Sequence, residues 1–454
     1  MMLDLLLDTL KTFDDVEFLI KEEKIRRIES YNIKKQSEMA REVEVTELSL
    51  TLYVTFTEAN EGGEEQKFRG SYTTEVHPGT SLEQLQVIIT QGVYAAGFVK
   101  NDWYPLVLPA APQAVDSGGV SDVQSAQSLT THEGDLSILG QLRDAFYEND
   151  NHESGNLSYS EFYLTRRDVR IINSSGVDVS YSVCCVFIET AVHWRNEKGE
   201  EIEICEAYNF SLPADTNVAC EMLKARIAEL FSVAKRKSTA QPTPQVGDID
   251  VLLTGECLAE LLNYYWTCSN AQMVYQQLST FKEGAQVQGK DGAGDRITLT
   301  IDPEMVGSGD SRPFDNDGMP VVSHMIIDDG KLLKYLGNTR FASYLGITPT
   351  GNITNIHITG GTASMEDLRS GPHLELVSFS GFQMNPITGD FMSEIRLGFY
   401  YDGEKTVPVT GGSITGNMAR VQDTMRMSTE ERQYNNYRGP ATVSIRGASI
   451  SGVV

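Results

Sequence analysis

Two alternating runs joined by a turn constrain this chain most: "EVTELSLTLYVTFTE" (44–58), "ANEGGEE" (59–65) and "KFRGSYTTEV" (67–76). Apolar and polar residues alternate with a period of two, the spacing of a strand with one buried face, and the Gly-containing stretch between them reads as a hairpin turn. Around this hairpin the period changes. Leu3, Leu6, Leu7, Leu10 and Phe13 recur at helical spacing before it. After it, "TSLEQLQVIITQGVYAAGF" carries Leu82, Leu85, Ile88, Ile89 and Val93 on one helical face, with Thr80 as expected N-cap and Glu83 completing a capping box.

The same order recurs further on. A helix around 136–147 leads into the strand-rich "NLSYSEFYLTRRDVRIINSSGVDVSYSVCCVFIETAVHW", then the turn "RNEKGEE" and the helix "TNVACEMLKARIAELFSVAKRK". Two helix–strands–helix units imply an α+β domain over 1–240 with an internal duplication around residue 120, inside a Pro/Ala/Gly/Ser-rich crossing. "KSTAQPTPQVGD" is polar, aperiodic and holds two prolines, so a boundary with exposed backbone is expected near 241–247. From 247 to 454, short alternating runs separated by "DDGK", "NPITGD" and "YDGEK" predict a β-rich C-terminal domain with one or two helices at its start. The fold class is α+β throughout.

A chain of 454 residues is long enough for two or three cores. Its net charge of -26 disfavours direct contact with nucleic acid or an anionic membrane surface, and suits cationic or unfolded peptide partners. Asp4 and Asp8 interrupt the first apolar stretch, so neither a signal peptide nor a spanning helix is expected there. Cys184, Cys185, Cys205, Cys220, Cys257 and Cys268 form no CxxC pair, and reduced, buried thiols in the cytoplasm are the expected state.

Complete catalytic motifs are lacking. "GAQVQGKD" (284–291) matches seven positions of a phosphate loop, but Asp291 replaces the hydroxyl and a turn and strand follow in place of a helix; it reads as a Gly-rich turn. His324 and His357 sit in strand-like runs as hydrogen-bonded structural residues. Neither HExxH nor a Cys/His zinc cluster occurs. One stretch stands out. "GECLAELL" (255–262) places Glu256 and Glu260 four apart on a helix otherwise rich in leucine; Leu252, Leu253, Leu258, Leu261 and Leu262 supply core contacts. It reads as a structural helix at the rim of a cleft, or as a carboxylate site for a hard cation.

"SRPFDNDGMP", "IIDDGKLLKYL", "GITPTGN", "SFSGFQMNPITGDFM" and "VPVTGGSITGNM", in that order, resemble the TldD/PmbA family, described first as modulators of DNA gyrase and then as peptidases. In that family a TldD-like subunit carries HExxxH and a later cysteine that hold the metal, and pairs with a PmbA-like (TldE) subunit lacking them. Here the first motif histidine falls on Gly255, the glutamate on Glu256 and the second histidine on Glu260, and no cysteine follows Cys268. The resemblance therefore implies a PmbA/TldE-like subunit without cofactor or metal and with no catalytic residue of its own. Its implied partner is a TldD-like metallopeptidase whose zinc activates water, its implied substrates are unfolded or leader-type peptides, and alone it would pair with itself as a homodimer. Two further readings stand beside it: a non-enzymatic protein-binding modulator, and an independent hydrolase using Glu256 and Glu260.

Overall fold

Residues 2–14, 16–59, 63–109, 132–247, 249–288 and 294–453 are described in a computed structural model of the chain. Helix α1 (Met2–Leu10) precedes an antiparallel meander of β1 (Glu17–Ile33), β2 (Gln36–Ala59) and β3 (Glu65–Glu75), followed by α2 (Leu82–Ala96) and the short β4 (Asn101–Asp102). Helix α3 (His132–Tyr147) precedes a second meander, β5 (Gly155–Asn173), β6 (Asp178–Arg195) and β7 (Glu201–Ser211), closed by α4 (Thr216–Lys237). The two meanders join through β1 and β5 into one seven-stranded sheet, β4-β3-β2-β1-β5-β6-β7. The crossing at 110–131, with the expected duplication point near residue 120, lies outside the described residues.

Strand alternation divides the side chains of this sheet. Leu48, Leu50 and Leu52 of β2 pack under Leu85 and Ile89 of α2 and Leu3, Leu6 and Leu10 of α1. Phe162, Leu164, Val186 and Ile188 pack under Leu139 and Phe146 of α3 and Leu223, Ile227 and Phe231 of α4. The helices thus cover one face. The other face meets the C-terminal half, where Val169, Ile171 and Tyr181 gather around Phe314. Buried Asp135 of α3 is held between Arg26 at 2.6 Å and Arg166 at 2.7 Å, a charge that burial tolerates only because it is paired.

The remaining strands form a six-stranded and a nine-stranded sheet. The nine-stranded sheet centres on β9 (Asp250–Thr254), after the edge strand β8 (Gln241–Pro242); β9 lies parallel to His373–Met384 and antiparallel to Thr442–Ile445. Helix α5 (Cys257–Cys268) follows β9 and packs Leu258, Leu261, Leu262 and Tyr265 between the two sheets.

Three local expectations change, and two others are met. The α2 capping box lies one residue later: Ser81 Oγ accepts from Gln84 N–H and Gln84 Oε1 accepts from Ser81 N–H, which leaves Thr80 outside the helix and Leu82 47% exposed. The 241–247 stretch is pinned at its start, with Gln241 and Pro242 pairing with Val409 and Thr410 and Thr243 buried, while Gln241, Pro242, Gln245 and Gly247 stay exposed. Cys205 is exposed, whereas Cys184, Cys220, Cys257 and Cys268 are buried, and all six thiols are free. Cys184 faces the helices while its neighbour's Sγ faces the C-terminal half, 3.4 Å from the Gly309 carbonyl. In 284–291 the described part turns at Gly284 (φ 79°) and bridges Gln286 to Lys331; residues 289–291 lie outside the described residues.

Candidate functional site

A cleft of about 1050 Å³ lies where β7 and α4 of the first sheet meet the start of α5. Its floor follows from a local backbone necessity. Strand β9 must turn abruptly into α5, and Gly255 makes that turn at φ 102°, a region that residues with a Cβ rarely occupy. Glu256 takes the N-cap position without a side-chain capping bond, so its carboxylate is free to face the cleft. One turn on, Glu260 is exposed on the same rim, while Cys257, Leu258, Leu261 and Leu262 point into the core. The structure thus brings Gly255, Glu256 and Glu260 together in the cleft wall.

Opposite them stands a carboxylate that the alternation of β7 already marks. Ile202, Ile204, Glu206, Tyr208 and Phe210 share one strand face, so Glu206 occupies a core-phase position. Burial, followed by the charge of Glu256 across the cleft, pushes its pKa up to about 7, against the pull of Arg226. Burial among the cleft walls also raises the Glu256 pKa, although its side chain touches cleft water. Burial is likewise the main cause of a raised Tyr208 pKa.

Arg226 sits between the two glutamates in the electrostatic sense, favouring the charged form of both. It is anchored by a hydrogen bond from Nη2 to the Gln433 carbonyl (3.0 Å) and by the Tyr434 ring, 5.1 Å from Cζ. Deeper in the wall, Arg369 donates twice to buried Glu375 (2.9 and 2.5 Å), whose Oε1 also accepts from Thr254 Oγ1. That guanidinium is spent on structure. His324 lies half-buried in a strand and His357 pairs with Glu431 at 3.0 Å, both away from the cleft.

The donor set does not fit the family's metal. Gly255 offers no side chain and Glu260 no imidazole, and Arg226 puts a fixed positive charge among the remaining carboxylates. Among the described residues no group of three or more His, Cys, Asp or Glu side chains could hold a metal ion. Chemically the cleft can bind cationic or hydrogen-bonding chain segments, and Glu206 can hold or release a proton near neutrality.

Fold and cleft together define an α+β protein of three sheets whose cleft opens where the first sheet meets the start of α5. Residues 246–452 match the PmbA/TldA metallopeptidase C-terminal domain. The metalloprotease PmbA of Escherichia coli O157:H7 is 32% identical over 136 residues, covering 29% of this chain and 30% of that protein. An uncharacterized protein of Methanocaldococcus jannaschii is 26% identical over 264 residues, covering 55% of this chain and 59% of its own length. The matched stretches therefore span less than two thirds of these relatives. The crystal structure of TldE from Thermococcus kodakarensis shares the fold over 99% of this chain and 100% of that one, with TM-score 0.72 at 16% identity. The C-terminal part, residues 246–452, thus matches the TldD/PmbA family, and the whole chain shares the fold of TldE.

Sequence reasoning missed Glu206, Arg226 and the Arg369–Glu375 pair. The first had a signal in the core phase of β7; the others had none that spacing could reveal.

Proposed function

We propose that this chain is the metal-free, PmbA/TldE-like subunit of a heterodimeric TldD/PmbA-type metallopeptidase complex. Its cleft would receive unfolded or leader-type peptides, which the TldD-like partner hydrolyses. One observation carries the reading: α5 meets the cleft with Gly255, Glu256 and Glu260 where the family resemblance expects histidine, glutamate and histidine. A route for the peptide is at hand. Strand β7 is the sheet edge bordering the cleft, so an extended peptide can add to it through main-chain hydrogen bonds with little sequence preference. The acidic rim favours basic segments. Free thiols and the absence, among the described residues, of any helix long and apolar enough to cross a membrane fit the cytoplasmic setting we propose.

Reconstitution tests this. The purified chain should be a homodimer without activity on unfolded peptides, and adding a TldD-like subunit should give a heterodimer with peptidase activity. Glu256→Gln should leave that activity within about twofold, because the working glutamate belongs to the partner. The pairing of Glu206, titrating near neutrality, with Glu256 favours a second reading, an independent hydrolase that uses the pair as acid and base. Cleavage by the chain alone, abolished by Glu256→Gln, would select it.

A further inference from the structure

A second cavity, of about 420 Å³, shares no lining residue with the cleft. It lies against the sheet face turned away from the helices. Because Leu48, Leu50 and Leu52 point to α1 and α2, the alternate residues Ser49, Thr51 and Tyr53 point the other way and line it. Across the strand pair, Thr73 stands opposite Thr51 and Ser71 opposite Tyr53, which makes this wall rich in hydroxyls. Residues 316–317 and 338–340 of the C-terminal half close it.

Several polar groups converge here without hydrogen-bond partners among the described residues. Tyr53 and Tyr104 are each only 7% exposed, yet neither hydroxyl has a hydrogen-bond partner among the described residues. The half-buried Asp317 carboxylate also lacks one; its neighbours are the charges of Asp315 and Arg340. Burial is the main cause of the raised pKa of both tyrosines, that of Tyr104 to about 12, and the charge of Asp317 adds a smaller push to each. Arg340, which lines the cavity, is oriented by hydrogen bonds from Nη2 to Asn101 Oδ1 (2.7 Å) and from Nε to the Tyr344 hydroxyl (3.2 Å). Arg340 and Asp317 line one cavity with opposite charges but form no ion pair with each other.

Buried polar groups are nearly always satisfied by protein, water or ligand. A few waters occupy about 30 Å³ each and would satisfy the tyrosines, but the volume is far larger than they need. A cation alone would meet Arg340 and nearby Arg69, whose Cζ lies 5.6 and 5.3 Å from the rings of Tyr53 and Tyr104. An anion alone would meet Asp317. A ligand bearing both charges satisfies both ends. We infer that this interdomain cavity binds a small zwitterion, a free amino acid or dipeptide, with its ammonium on Asp317 and the Tyr53 and Tyr104 hydroxyls and its carboxylate on Arg340.

Isothermal titration calorimetry on the full chain, with glycylglycine as probe and N-acetylglycinamide as uncharged control, tests this. Glycylglycine should bind at millimolar or better affinity and the capped control should not. Asp317→Asn should weaken binding by about tenfold or more, the usual effect of losing a hydrogen bond to a charge. Tyr53→Phe with Tyr104→Phe keeps both rings and should also weaken it severalfold, which settles the matter if Asp317→Asn fails to fold. No binding of glycylglycine, equal binding of the capped control, or unchanged affinity in the phenylalanine variant would overturn the assignment. None of these results depends on the cleft or on a partner subunit.

Discussion

Glu206→Gln is the most informative single change, because it separates the fold's tolerance of the cleft carboxylate from the carboxylate's use. Glu206 goes from an ordinary pKa of 4.5 to about 7 in the folded protein, chiefly through burial and then through Glu256. A carboxyl whose folded pKa is raised is favoured in its neutral form. It therefore carries no penalty below about pH 4.5, a growing one between about 4.5 and 7, and the full one above that. Each pKa unit corresponds to about 1.4 kcal/mol, which sets an upper bound of about 3 kcal/mol; cleft water reduces this to about 1–3 kcal/mol. Glutamine keeps the shape and is neutral at every pH. The variant should thus be more stable than the native chain by that amount at about pH 8, and equal to it at about pH 4.5. For domains of this size the gain corresponds to a melting point higher by about 2–10 °C. Differential scanning calorimetry of both proteins at the two pH values measures it. A lower melting point for Glu206→Gln at the high pH, or the same difference at both, would show that the carboxylate is satisfied rather than strained, and that the account of the cleft is wrong.

Gly255→Ala should lower stability by about 1–3 kcal/mol, because the new Cβ would sit at φ 102° with the Val377 carbonyl oxygen at 3.4 Å; chemical denaturation reads the loss directly. We propose that 1–240 and 247–454 are the folding units. Since Gln241–Thr243 pair with the second, a fragment starting at 241 should melt above one starting at 247, as thermal unfolding by circular dichroism would show. After dialysis against EDTA, elemental analysis should find well under one zinc per chain, since carboxylates without imidazole or thiolate hold zinc poorly against a chelator.

Wherever one face of an element packs and the other does not, the sequence alone determined the outcome. The alternation of 44–58 and 67–76 specifies a hairpin because a slip of one residue would bury its polar face. The leucines around 252–262 specify a core strand and helix, and Gly255, Glu256 and Glu260 announce a family motif without its ligands. Tertiary structure decided the chemistry. Glu206 and Glu256 lie on different elements and become a pair only when α4 and β7 close over α5, and a pKa is set by such neighbours and by burial. The same reason hid the second cavity: Tyr53, Tyr104 and Asp317 are unremarkable in sequence and meet only because the helix-free face of the first sheet docks on the C-terminal half. The pinning of 241–243 is also tertiary, since a polar, proline-containing stretch shows its own composition but not the strand edge waiting for it. Local pattern specifies which faces are buried, and only packing specifies which groups are then left without partners.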